Sequence, residues 1–184
     1  MANAWARDRA TRFYVGFGLV GLLVVALGFG VTYVMPMARG LFSAPWFVHV
    51  HGASALGWIL LFIAQASLVR GRRTPLHRSV GPFLFPLALL VWASGIATAV
   101  WAAQRDLPEL GTEATSSLAG TFTGLSLFLS LVVAAARDQW RYGRIHPVWL
   151  FVGPALVIEQ SVEFALFDQE PMRSFGRFLF GALT

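Results

Sequence analysis

The chain has 184 residues, enough for one domain; 57% are hydrophobic and only 12% charged, about half the charged share of soluble domains, which excludes an ordinary water-soluble fold. The net charge of +5 comes from arginines clustered in short segments between apolar runs, a sign of membrane topology that implies no nucleic-acid partner. The absence of cysteine excludes disulfides, thiolate metal ligands, a cysteine nucleophile and haem attached through cysteine.

Residues 1–12 form a basic head with Arg7, Arg9 and Arg12. An apolar run from Phe13 to Met35 follows, longer than the core of a secretory signal and without a convincing small-residue cleavage site, so it reads as a first span over 13–35. Its GFGLVG stretch has the spacing of a dinucleotide fingerprint. The strand before it and the acid after it are missing, so close helix packing is the better account of Gly16, Gly18 and Gly21. Residues 36–46 make a short connection in which Ser43 is placed to cap a second span, with Pro45 in its first turn.

The second span covers 46–69 and carries His51, Ser54, Trp58 and Gln65 at helical spacing, so these polar and aromatic groups share one face turned toward protein. Residues 70–81 form a basic turn in which Thr74–Pro75 predicts one short helical turn. A third span follows over 82–103, with Pro82 and Pro86 near its start. The acidic stretch 104–114 reads as a loop, and a fourth span over 115–136 carries the Gly120/Gly124 pair among hydroxyl residues. A second basic turn, 137–146, precedes a fifth span over 147–167. The tail 168–184 is too short to cross and reads as an interfacial segment. The expected fold is therefore an all-α integral membrane bundle of five transmembrane helices.

Ten of the 14 arginines lie in the head and in the two basic turns, and the other side holds most of the loop carboxylates. By the positive-inside rule the N-terminus is cytoplasmic and the C-terminus outside, as in a multi-pass protein of a bacterial inner membrane. In that orientation His51 sits roughly 7 Å into the second span from the outside, at 1.5 Å per residue. Glu163 lies at a similar depth in the fifth span, with Glu159 one turn deeper on the same face. A bare carboxylate in the hydrocarbon costs about 2.5–3.5 kcal/mol on insertion scales, so both acids should be paired, protonated or ligand-bound.

These residues define a polar pocket in the outer half, built from His51, Glu159, Glu163, Gln160, Ser117 and Thr121. One histidine and two carboxylates suit a divalent metal such as zinc, iron or manganese; they equally suit a proton relay or a hydrogen-bonded quinone. The plain alternative is that the groups satisfy one another and fix the bundle. His49 and His51 are two apart and cannot address one iron, but His77 and His146, both in the basic turns, could clamp a haem near the inner surface. Otherwise those histidines join Arg70, Arg72, Arg73, Arg78, Arg141 and Arg144 in a patch for lipid headgroups.

The stretch HVHGASALGWILLFIAQASLVRGRRTPLHRSVG resembles a domain-of-unknown-function family of bacterial multi-pass membrane proteins over residues 46–105. The matching positions are His51, Gly52, Trp58, Gln65, Arg70, His77, Arg78 and Gly81. The resemblance implies the membrane fold and assigns no activity. Two readings follow: a ligand-binding or redox-linked membrane protein, or an accessory subunit packed on a larger respiratory or photosynthetic complex through its first span and tail.

Overall fold

A computed structural model describes residues 2–41 and 43–142, and among these residues the secondary structure is entirely helical. Six α-helices follow in order: α1 (Ala2–Phe29), α2 (Met35–Ala38), α3 (Trp46–Arg70), α4 (Thr74–Val80), α5 (Leu84–Leu110) and α6 (Thr112–Tyr142). Four stretches are long and apolar enough to cross a membrane: Arg12–Phe29, Trp46–Arg70, Thr74–Leu110 and Thr112–Asp138. They match the first four expected spans. The expected fifth span, 147–167, and the tail lie outside the described residues.

The helices run beyond the expected spans, and the reason is local. The basic head is already helical from Ala2, and the acidic stretch 104–114 is not the expected loop. α5 continues to Leu110 with Pro108 inside it, and the reversal is made by Gly111 alone. Gly111 has φ +54°, a left-handed conformation that costs glycine nothing, and its N–H closes on the Leu107 carbonyl at 3.0 Å. Charged residues are no obstacle to a helix that has left the hydrocarbon: Arg105 forks onto Asp106 at 2.6 and 2.9 Å and lies 4.9 Å over the Trp101 ring, one turn earlier. Ser43 does not cap α3. Pro45 occupies the N-cap, extended at φ −60° and ψ 155°, with no side-chain cap bond.

Between α1 and α2 the chain makes one wide π turn, Gly30–Val34, in which the Met35 N–H reaches back to the Gly30 carbonyl. Pro36 lacks an N–H and its ring crowds the carbonyl one turn earlier, and a widened turn just before it absorbs that conflict. α3 ends in a Schellman motif: Arg73 N–H bonds the Leu68 carbonyl at 2.9 Å and Arg72 N–H bonds Val69 at 3.1 Å. The left-handed position, usually glycine, is taken by Arg72 at φ +56°. The expected short helical turn at Thr74–Pro75 is α4.

Each long helix packs against its neighbours in sequence, antiparallel. α1 meets α3 at Gly18 against Phe62 and Ile63 and at Phe29 against Gly52. α3 meets α5 at Gly57 against Leu87 and at His51 against Ser94 and Gly95, and α5 meets α6 at Gly95 against Leu125. The central cluster is Trp58, Ala88, Val91, Phe128 and Val132, drawn from α3, α5 and α6. Trp58 stands edge-on to Phe128 with ring centroids 4.9 Å apart. Large apolar side chains such as Leu19, Val20, Leu23 and Leu27 on α1 and Phe122 and Leu127 on α6 remain exposed, a distribution that water does not favour and lipid does.

Candidate functional site

α3 carries the polar groups because its apolar run is interrupted at helical spacing. Ser54, Trp58 and Gln65 are all buried on the face turned to the other helices, as the spacing requires, and His51 continues that face toward the N-terminal end of α3. Two polar centres result, one at each end of the helix.

At the His51 end the imidazole Nδ1 lies 3.3 Å from Ser94 Oγ on α5. The Ser94 hydroxyl donates its single proton to the Leu90 carbonyl at 2.5 Å, so its oxygen accepts from His51, and the proton belongs on Nδ1. The ring also makes a hydrogen bond to the main chain of Val91. In the neutral ring Nε2 then keeps its lone pair. The Ser54 hydroxyl ties back to the His51 carbonyl at 3.0 Å.

Three buried polar atoms on α3 and α5 have no partner among the described residues: Trp58 Nε1, Trp92 Nε1 and Thr98 Oγ1. Thr98 lies one turn beyond Ser94 on the same face of α5. Trp92 is near the same level but about 200° round the helix from Ser94, and Trp58 lies two turns deeper on α3. An unpaired N–H or O–H in an apolar interior costs about 1–3 kcal/mol, so each of the three invites an acceptor.

At the other end, the buried Gln65 amide fastens the basic turn. Oriented by its partners, its oxygen accepts from Gly81 N–H at 3.0 Å, and its NH2 donates to the His77 carbonyl at 3.3 Å and to His77 Nδ1. One side chain of α3 thus holds both ends of the Leu-His-Arg-x-x-Gly segment. Gln65→Leu keeps the volume but takes away the amide partner of the His77 ring and carbonyl and one of the two acceptors of the Gly81 N–H, whose bond to the His77 carbonyl remains. It is expected to cost about 1–3 kcal/mol, measured as a lower unfolding midpoint in a detergent titration; an unchanged midpoint would remove the clamp.

Of the expected pocket, the structure places His51 against Ser94, which the sequence reading did not single out. Ser117 is exposed on α6 and Thr121 is half-buried there, each beyond the level of Leu125, the α6 residue that shares Gly95 with His51. Glu159, Gln160 and Glu163 lie outside the described residues, as do His146 and Arg144. His77 is engaged by Gln65, and Arg70, Arg72, Arg73 and Arg78 are exposed. Arg141 belongs to the last turn of α6. Among the described residues no three His, Asp or Glu side chains gather as metal ligands. His49, beside the functional candidate His51, is bonded instead to the Tyr33 hydroxyl of the π turn. The GxxxG residue Gly120 has open space where a side chain would stand.

Described residues that are all helical, with four stretches able to cross a bilayer, define the class, a multi-pass membrane protein. No family model, curated protein or solved structure matches it.

Proposed function

We propose that this chain is a polytopic protein of a bacterial inner membrane that binds a quinone-class ligand from the bilayer at the His51 layer. The unpaired donors carry the reading: Trp58 Nε1, Trp92 Nε1 and Thr98 Oγ1 offer hydrogen bonds and find no acceptor among the described residues. A quinone carbonyl supplies one, and His51 Nε2, held with its lone pair outward by the Ser94 contact, accepts from the hydroxyl of the reduced form. The apolar helices are suited to lipid contact and give a long isoprenoid tail an apolar path. The arginine distribution supports a cytoplasmic N-terminus, with the C-terminus and the His51 layer toward the outside, and the fifth span expected over 147–167 would carry Glu159, Gln160 and Glu163 to a similar depth. The resemblance over 46–105 agrees with a bacterial membrane protein.

The test uses the full chain in mild detergent, with quinones extracted and identified by mass spectrometry and a short-chain quinone titrated by tryptophan fluorescence. Trp58→Phe removes one donor with little change in packing. Its loss of roughly five- to tenfold in quinone affinity, one hydrogen bond's worth, should come with unchanged or higher stability of the unliganded protein. Absence of both extracted and titratable quinone in the unaltered protein would end the proposal.

A second reading rests on the same nitrogen. A histidine anchored through Nδ1–H with Nε2 left over is also how metal-bound imidazoles are held, and Glu159 and Glu163 would be the remaining ligands of a zinc, iron or manganese site. Elemental analysis decides it: stoichiometric metal lost in His51→Ala and in Glu159→Gln supports the metal, and its absence leaves the quinone. The accessory-subunit alternative rests on the exposed α1 face at Leu19, Val20, Leu23 and Leu27, and predicts co-purification with a defined complex.

A further inference from the structure

We propose that the groove between the end of α3 and α4 is a binding site for an anionic phospholipid, with an acyl chain along Ala64, Leu68, Leu76 and Val80 and the phosphate on Arg73. The groove has a volume of about 450 Å³ and is open along its side, lined by those four apolar residues together with Ser67, Gly71 and Arg73. A single cation beside an apolar floor matches an amphiphile with one charged end and does not match a free ion. The groove stands at the arginine-rich end of the spans, where headgroups meet the hydrocarbon. Its charge calls for an anion: Arg73 lines it, Arg70, Arg72 and Arg78 are near it in the chain, and none of the four has a side-chain ion pair or hydrogen bond among the described residues. No Asp or Glu occurs in the sequence between Asp8 and Asp106, and Asp138, at the same end of α6, has a partner of its own.

The walls are fixed independently of any lipid. The Gln65 amide holds His77 and Gly81 and so sets α4 against α3, while the left-handed Arg72 in the Schellman turn carries the chain across to Arg73. The site lies at the opposite end of α3 from His51, so its fate is separate from that of the quinone proposal.

The experiment uses the full chain, delipidated in detergent and mixed with equal amounts of phosphatidylglycerol and phosphatidylcholine, with bound lipid read by native mass spectrometry. The unaltered protein should retain phosphatidylglycerol in preference. Arg73→Gln should lower the preference roughly fivefold, as expected for one arginine at an anionic surface, and Arg73→Lys should restore most of it. Ala64→Phe, at an exposed position on the groove floor, should expel the lipid without unfolding the protein. A preference untouched by Arg73→Gln, an equal loss in Arg105→Gln at the far end of the spans, or full displacement by excess inorganic phosphate would each overturn the proposal.

Discussion

Trp58→Ala is expected to lower the unfolding free energy by roughly 2–3 kcal/mol, one of the two largest single-residue losses in the described helices. Trp58 is only 4% exposed and touches Ala88 and Val91 of α5 and Phe128 and Val132 of α6 from its place on α3. In a soluble core the same truncation costs about 3–5 kcal/mol, the sum of a transfer part and a cavity part. Within a bilayer the transfer part largely disappears, because lipid tails are as apolar as the core. What survives is the cavity and the lost edge-to-face contact with Phe128. Unfolding by detergent titration in mixed micelles measures it. A loss under about 0.5 kcal/mol, the scale of a neutral surface change, would mean that α3, α5 and α6 do not meet at this side chain. Trp58→Phe separates packing from polarity, since it keeps the ring contact and removes only the unpaired N–H.

The inward face of α3 was readable in the sequence because a helix in lipid has little freedom over where it puts polar groups. His51, Ser54, Trp58 and Gln65 recur at helical spacing in an otherwise apolar run, and Ser54, Trp58 and Gln65 are buried together. The partner of His51 was not readable. Ser94 is one small hydroxyl in the stretch VWASGIAT, and its level opposite His51 depends on the length that α4 and the 3-10 turn Gly81–Phe83 insert between the two helices. Ser117 and Thr121 attracted notice because hydroxyls are denser on α6, where Thr123 and Ser130 spend theirs on carbonyls four residues earlier at 2.8 and 2.7 Å. The acidic stretch misled for a related reason. Charge marks where a segment leaves the hydrocarbon and says nothing about where its helix stops, so α5 runs through Asp106 and Glu109 until Gly111 turns it. The role of Gln65 needed three dimensions, although the signal for it, a glutamine at the end of a span just before Leu-His-Arg, stands in the sequence.

Gly95→Val is expected to cost about 1–3 kcal/mol, toward the upper end, and to remove quinone binding with it. A Cβ at Gly95 would lie 2.7 Å from Leu125 Cδ1, 2.9 Å from His51 Cε1 and 3.2 Å from His51 Nδ1. The Leu125 methyl is the end of a flexible side chain and can swing aside. The imidazole cannot turn without giving up Ser94, so the substitution either forces α3 and α5 apart or expels His51 from its place. Gly16→Val is the matched control, because nothing lies within 4 Å of the same atom there; it should leave both stability and quinone affinity near those of the unaltered protein. Equal losses at the two positions would mean that glycine is needed for the helix backbone and not for the approach of α3 to α5. Gly120→Val extends the comparison to the exposed face of α6, which no described helix covers. A penalty there of the size seen at Gly95 would require another helix on that face, and the apolar stretch 147–167, only a few residues beyond the end of α6, is the segment of this chain able to supply it.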